Sequence, residues 1–134
     1  VGGFTIQSES MVPALKPEQH VQAVAVDADE IRRGDVLVFD TPDGAQQLTS
    51  ASKVIARVVG LPGEMIEGRD GRIYIDGSAL EEPYEPQGVE SKTFDPITVP
   101  TGTFYMLGDN RQYAADSTVY GPVDGALIVG RIVT

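Results

Sequence analysis

The 134-residue chain contains no cysteine, which excludes a disulfide framework, a thiolate nucleophile and any zinc–cysteine site. It contains a single histidine, His20, with no acid nearby at a spacing that suggests a Ser-His-Asp triad. Cations are scarce: 10 Lys and Arg stand against 20 Asp and Glu, for a formal charge of −10. That balance argues against a nucleic-acid partner, because little would neutralise phosphates. It also opposes adsorption to an anionic bilayer, although apolar insertion stays open. No stretch approaches the ~20 apolar residues of a transmembrane helix, and no signal-peptide pattern is present. The chain begins at Val1 without methionine; the expectation is a fragment from which an anchor or leader was removed.

Metal chemistry is poorly served as well. One histidine, no cysteine and carboxylates scattered through turns do not assemble a ligand set. "GDNRQYAAD" (108–116) is acidic but lacks the alternating ligands and terminal glutamate of a calcium loop. No metal and no cofactor is expected.

What is present is a succession of strand signals. "HVQAVAV" (20–26) alternates apolar and polar residues, and "GDVLVFD" (34–40) is a compact β-branched run after a turn. "SKVIARVVGLPGE" (52–64) is longer and closes on the turn pair Pro62-Gly63. "RDGRIYIDG" (69–77) reads as a hairpin with Asp70-Gly71 and Asp76-Gly77 as tight turns. "TFYMLGD" (103–109) and "ALIVGRIV" (126–133) complete the set, and "VPALKPEQ" (12–19) holds one helical turn at most. The expected architecture is all-β: twisted antiparallel sheets forming a partly closed, barrel-like core with a small irregular cap. Residues 1–64 and 104–134 would form the core and 65–103 the excursion, with the proline-rich span 78–100 irregular.

With histidine, cysteine and metals set aside, serine chemistry of the Ser-Lys kind is left. A lysine acts as general base only when neutral, so apolar burial must lower its pKa from ~10.4. "SESMVPAL" (8–15) carries two serines one residue apart, though such a pair is also an ordinary polar turn.

Five segments in order sharpen this. "SESMVPAL", "RRGDVLVF", "RVVGLPGE", "DGRIYIDG…LEEPY" and "GDNRQYAADS" resemble the successive boxes of type I signal peptidases, over nearly the whole chain. The resemblance implies the extracytoplasmic part of a membrane-anchored serine endopeptidase, on the outer face of the bacterial cytoplasmic membrane. Its partners would be the signal-peptide regions of preproteins, with the membrane surface beside them in the full-length protein. It further implies Ser10 as nucleophile, and the Ser10 N–H with the Ser8 hydroxyl as oxyanion hole. Ser8, two residues earlier on an extended chain, would lie on the same side as Ser10, and such a donor is worth ~3 kcal/mol in comparable sites. Phe4, Ile6, Met11, Leu15 and Ile55 match positions lining shallow pockets for small side chains. Phe4 and Ile6 also sit where substrate would add as a β-strand. Asp109, Asn110, Arg111 and Asp116 match the scaffold of the last box.

The resemblance also locates a gap. Family members carry the base lysine immediately before the arginine of "RVVGLPG", and here that residue is Ala56. Lys53 lies at an odd offset on the same strand and should face away. Lys16 and Lys92 lie in Pro-flanked or irregular stretches without an apolar shell. Ala114 replaces the serine that hydrogen-bonds the lysine, Thr118 the arginine after Asp-Ser, and Ala14 the threonine of the first box. Three accounts fit Ala56: a deliberate replacement, a natural loss, or Lys53 in the role through a bulge. Losing the base would cost on the order of 10⁶-fold in turnover, by the subtilisin precedent. Two alternatives to an inactivated signal peptidase are a non-catalytic peptide-binding or pilus-assembly relative, and a self-cleaving repressor-type Ser-Lys protease. Retention of Ser10 speaks against the first, and "VVGLPGE" with "GDNR" against the second.

Overall fold

The computed structural model describes residues 1–43 and 52–133. In chain order its first strands are β1 (Gly2–Thr5), β2 (His20–Val24), β3 (Val36–Asp40), β4 (Lys53–Gly60), β5 (Met65–Arg69) and β6 (Arg72–Ile75). There follow β7 (Ser78–Ala79), β8 (Phe94–Thr98), β9 (Thr103–Leu107), the short helix α1 (Ser117–Tyr120), β10 (Val123–Asp124) and β11 (Ile128–Val133). Hydrogen bonding joins them into a seven-stranded sheet, β1-β2-β11-β3-β4-β9-β10, and a four-stranded sheet, β7-β6-β5-β8. Every pairing is antiparallel. The fold is all-β, and the large sheet stays open at β1 and β10 rather than closing into a barrel.

Sequence pattern and burial agree strand by strand. β2 alternates exposed and buried residues because one face meets solvent. β4 reads "KVIARVVG" without alternation because both of its faces are covered. On one face Ala56 and Val58 join Leu37, Phe39, Phe104 and Met106; on the other Val59 joins Tyr105 and Leu107. Ile66, Ile73 and Val99 complete that second cluster and lock the small sheet onto the large one. Each such fully buried side chain contributes roughly 1.5–3 kcal/mol of transfer free energy.

Turn chemistry fixes the small sheet. Asp70 and Gly71 both have positive φ, as do Asp76 and Gly77, which is the geometry a two-residue hairpin needs to match strand twist. Residues 94–98, expected within the irregular span, form strand β8. Pro96 is tolerated there because β8 lies at the sheet edge, where a missing N–H leaves no partner unsatisfied. The helical turn after Ser10 closes through the Leu15 N–H on the Met11 carbonyl at 2.9 Å.

Candidate active site

Ser8 and Ser10 lie in the turn that leaves β1. Their hydroxyls are 3.0 Å apart, and the Ser10 N–H donates to Ser8 Oγ at 3.3 Å. The expectation that an extended chain aligns them is therefore corrected. A serine hydroxyl two residues back can accept a backbone N–H, and that local bond favours a turn over a strand. The same bond occupies the N–H expected to serve an oxyanion. At 3.3 Å it is long, so an anionic oxygen would compete well for both donors.

Asn110 of the 108–116 loop holds this turn from behind. The Asn110 N–H donates to the Ser10 carbonyl at 2.9 Å, and its Nδ2 to the Glu9 carbonyl at 3.0 Å. Gly108 leaves the room for it: a Cβ there would sit 2.7 Å from the Ser10 carbonyl oxygen and collide with the Ala114 methyl. Asp116, buried, accepts the Gly108 N–H at 3.0 Å and both the N–H and hydroxyl of Thr118, at 3.0 and 2.6 Å. Thr118, standing where the family has an arginine, thus gives this carboxylate two neutral bonds.

Ala56 is 2% exposed, opposite Leu37 on β3. The β4–β9 ladder ends on Arg57 and Leu107, and one further step brings Ala56 beside Gly108. A Cβ on Gly108 would meet both the Ala114 methyl and the Ser10 carbonyl, so Ser10 backs that side of Gly108, while Ala56 packs with Leu37, Phe39 and Met106. Arg57 points the other way. Its guanidinium grips buried Asp109 through Nε and Nη2 at 2.9 and 2.7 Å, bonds the Gly34 carbonyl at 2.7 Å and lies 4.2 Å from the Tyr84 ring centroid. Bidentate geometry and a third acceptor make this the kind of desolvated pair that holds.

Arg111 fastens the cap to the same loop. It bonds the Gly108 carbonyl, takes both oxygens of Glu82 at 3.0 and 2.6 Å, and meets Ser91 Oγ at 2.9 Å. Burial alone would lower its pKa, but hydrogen bonds and charge from Glu82, with Glu85, keep it above the usual arginine value. Glu85 lies 3.2 Å from the same guanidinium, yet neither of its buried oxygens is hydrogen-bonded. Burial, reinforced by Asp109 and Glu82 against the pull of Arg111 and Arg57, pushes its carboxyl up to about 7.

The whole chain, residues 1–134, matches the family described as signal peptidase, peptidase S26. The chain belongs to the signal peptidase family. It is 37% identical over 132 residues to signal peptidase I of Leptolyngbya laminosa, spanning 96% of this chain and 64% of that protein. Signal peptidase IB of Staphylococcus aureus is 29% identical over 148 residues, spanning 96% of this chain and 74% of the relative. A solved signal peptidase I from Enterococcus faecalis superposes with a TM-score of 0.65 at 28% identity, covering 82% of this chain and all of that one. The chain thus spans just under two thirds of the Leptolyngbya protein's length. No helix among the described residues is long and apolar enough to cross a membrane.

Phe4, Ile6, Met11, Leu15 and Ile55 all fall in one apolar cluster beside the Ser8–Ser10 turn. Of these, Ile6, Met11 and Leu15 are buried, while Phe4 and Ile55 are half-buried. Lys53 is tied to Asp40 at 2.7 Å at the exposed end of β4. Lys16 is exposed, and His20 Nδ1 is engaged by Thr5 Oγ1 at 2.8 Å. Lys92, set aside in the sequence, is half-buried and donates to the Ala114 carbonyl at 2.7 Å. Glu82, Tyr84 and Glu85 were equally unassigned. The "EEPY" of the fourth box covers Glu82 and Tyr84 and stops just before Glu85, and it shows no hint of which arginine each meets. Among the described residues no group of three His, Asp or Glu side chains converges on a metal position.

Proposed function

We propose that this chain is the catalytic domain of a Ser/Lys-type serine endopeptidase that removes N-terminal signal peptides from exported preproteins. Its place would be the extracytoplasmic face of the bacterial cytoplasmic membrane, reached through an anchor in the full-length protein. With alanine at position 56 it binds substrate but lacks the general base. The observation that carries the reading is the 3.0 Å Ser8–Ser10 hydroxyl pair beside the apolar cluster that contains Phe4, Ile6, Met11, Leu15 and Ile55.

The roles follow from chemistry. A substrate strand lies along Phe4 and Ile6, and its small side chains enter the cluster. Ser10 Oγ attacks the scissile carbonyl, while the Ser8 hydroxyl and the Ser10 N–H both turn to donate to the oxyanion. An ester forms as the amine leaves, and water then hydrolyses it. Both steps need a base at Ser10. Position 56 suits one, because its apolar surroundings would hold a lysine amine neutral near physiological pH. Small methyls at both 56 and 114, each packed and buried, favour a second reading: a non-catalytic peptide-binding module on the same fold.

The deciding experiment is Ala56→Lys, assayed on a peptide with alanine at −1 and −3. Appearance of cleavage, abolished by Ser10→Ala, supports the protease. Peptide binding with no cleavage after restoration favours the binding module. Cleavage that survives Ser10→Ala removes the nucleophile assignment.

A further inference from the structure

A strap from the cap is lashed across the loop that backs Ser10. The Glu90 carbonyl accepts Gln112 Nε2 at 2.8 Å, Ser91 Oγ accepts Arg111 Nη1 at 2.9 Å, and Lys92 Nζ donates to the Ala114 carbonyl at 2.7 Å. The loop in turn grips the serine turn through Asn110, on the carbonyls of Ser10 and Glu9. Inside the loop, the N–H groups of Tyr113 and Ala114 both donate to the Asn110 carbonyl at 2.9 Å. A continuous path therefore runs from Lys92 through Ala114 and Asn110 to Ser10. Its far end is fixed too: Gly68 on β5 lies so close beneath the Lys92 carbonyl that no side chain would fit there.

Lys92 is one of three lysines in the chain. Lys53 is spent on Asp40 and Lys16 is exposed, so Lys92 is the lysine that reaches this loop. We infer that Lys92 is a positioning residue: its ammonium clamps the 108–116 loop and, through Asn110, sets the placement of Ser10. A charged donor on a half-buried carbonyl makes a bond roughly twice as strong as a neutral one. A loop without regular structure has few other restraints on its carbonyls. The inference rests on reading Ser10 as the nucleophile, and its test is chosen to stand apart from that reading.

The first measurement is amide hydrogen exchange on the full chain. Lys92→Met should speed exchange at Asn110 and Ala114 about tenfold while Val58, bonded to the Asp35 carbonyl, stays unchanged. Lys92→Arg, which keeps a charged donor, should restore the original rates. If Lys92→Met fails to fold, Gln112→Ala should loosen the same amides by severing the neighbouring tie. No change at Asn110 and Ala114, or an equal acceleration throughout the core, overturns the proposal. The second measurement uses the Ala56→Lys background. There Lys92→Met should lower kcat about tenfold or more with KM little changed, and Lys92→Arg should recover it. A fall in KM-dependent terms alone speaks against positioning. Should Ala56→Lys show no turnover at all, the protease reading fails while exchange still decides the role of Lys92.

Discussion

Glu85→Gln is the perturbation whose sign the structure sets most directly. Three carboxylates (Glu82, Glu85 and Asp109) and the Tyr84 hydroxyl surround two guanidiniums, Arg57 and Arg111. Glu82 and Asp109 each hold one guanidinium in bidentate fashion. Glu85 is the member without a hydrogen bond, 7% exposed in its side chain, with its carboxyl pushed up to about 7 mainly by burial. A raised carboxyl binds its proton more tightly folded than unfolded. Its contribution is thus fully present below the unfolded value near 4.5 and is lost as pH rises through about 7.

Between pH 5.5 and 7 the folded chain holds a proton that the unfolded chain has released. Roughly 1.5 pH units at 1.36 kcal/mol each set the order of magnitude at ~1–2 kcal/mol. Thermal melts of both proteins from pH 5.5 to 8.5 read it directly. The wild type should lose about 3–5 °C relative to Glu85→Gln between pH 5.5 and 7, and no more above that. Titrating groups remote from this cluster cancel in the difference. Parallel curves across the window would refute the argument.

Asp109→Ala strands the Arg57 guanidinium, and the cost should be ~3–5 kcal/mol by denaturant titration; a loss under 1 kcal/mol would mean water replaces the carboxylate. Gly108→Ala must push either the Ser10 carbonyl or the Ala114 methyl aside. It should weaken peptide binding and cost ~1–3 kcal/mol, whereas unchanged affinity would separate the loop from the site. Ala56→Lys buries an amine among Leu37, Phe39 and Met106, so it should destabilise the fold by ~2–4 kcal/mol at pH 7. The folded amine's pKa lies below the unfolded one, so this loss should shrink as pH rises towards 10. A pH-independent loss would point to steric overpacking instead. Thr118→Val removes one of the three bonds to Asp116 and should cost ~1 kcal/mol, measurable by the same titration.

The strands were legible because their periodicity is local, and the Asp-Gly turns because φ above zero is a property of the residues themselves. β8 was missed for a related reason: Pro96 argues against a strand until one knows that the strand is an edge. The candidate site divides along the same line. Position 56 could be read from the "VVGLPG" register alone, but the side of β4 it occupies depends on how β9 pairs, since one residue of slip would exchange Ala56 for Arg57. The serine turn shows the limit from the other direction. An i, i+2 rule anticipated that Ser8 and Ser10 meet, yet the force joining them is a backbone N–H on a hydroxyl, which makes a turn and occupies the expected oxyanion donor. Lys92 illustrates what no local rule contains. Its neighbours in sequence form no apolar shell, and its partner lies 22 residues away on a loop brought over by the small sheet. A cation whose job is to hold a carbonyl leaves no spacing to read. Its position becomes meaningful only when the cap is folded onto the loop behind Ser10.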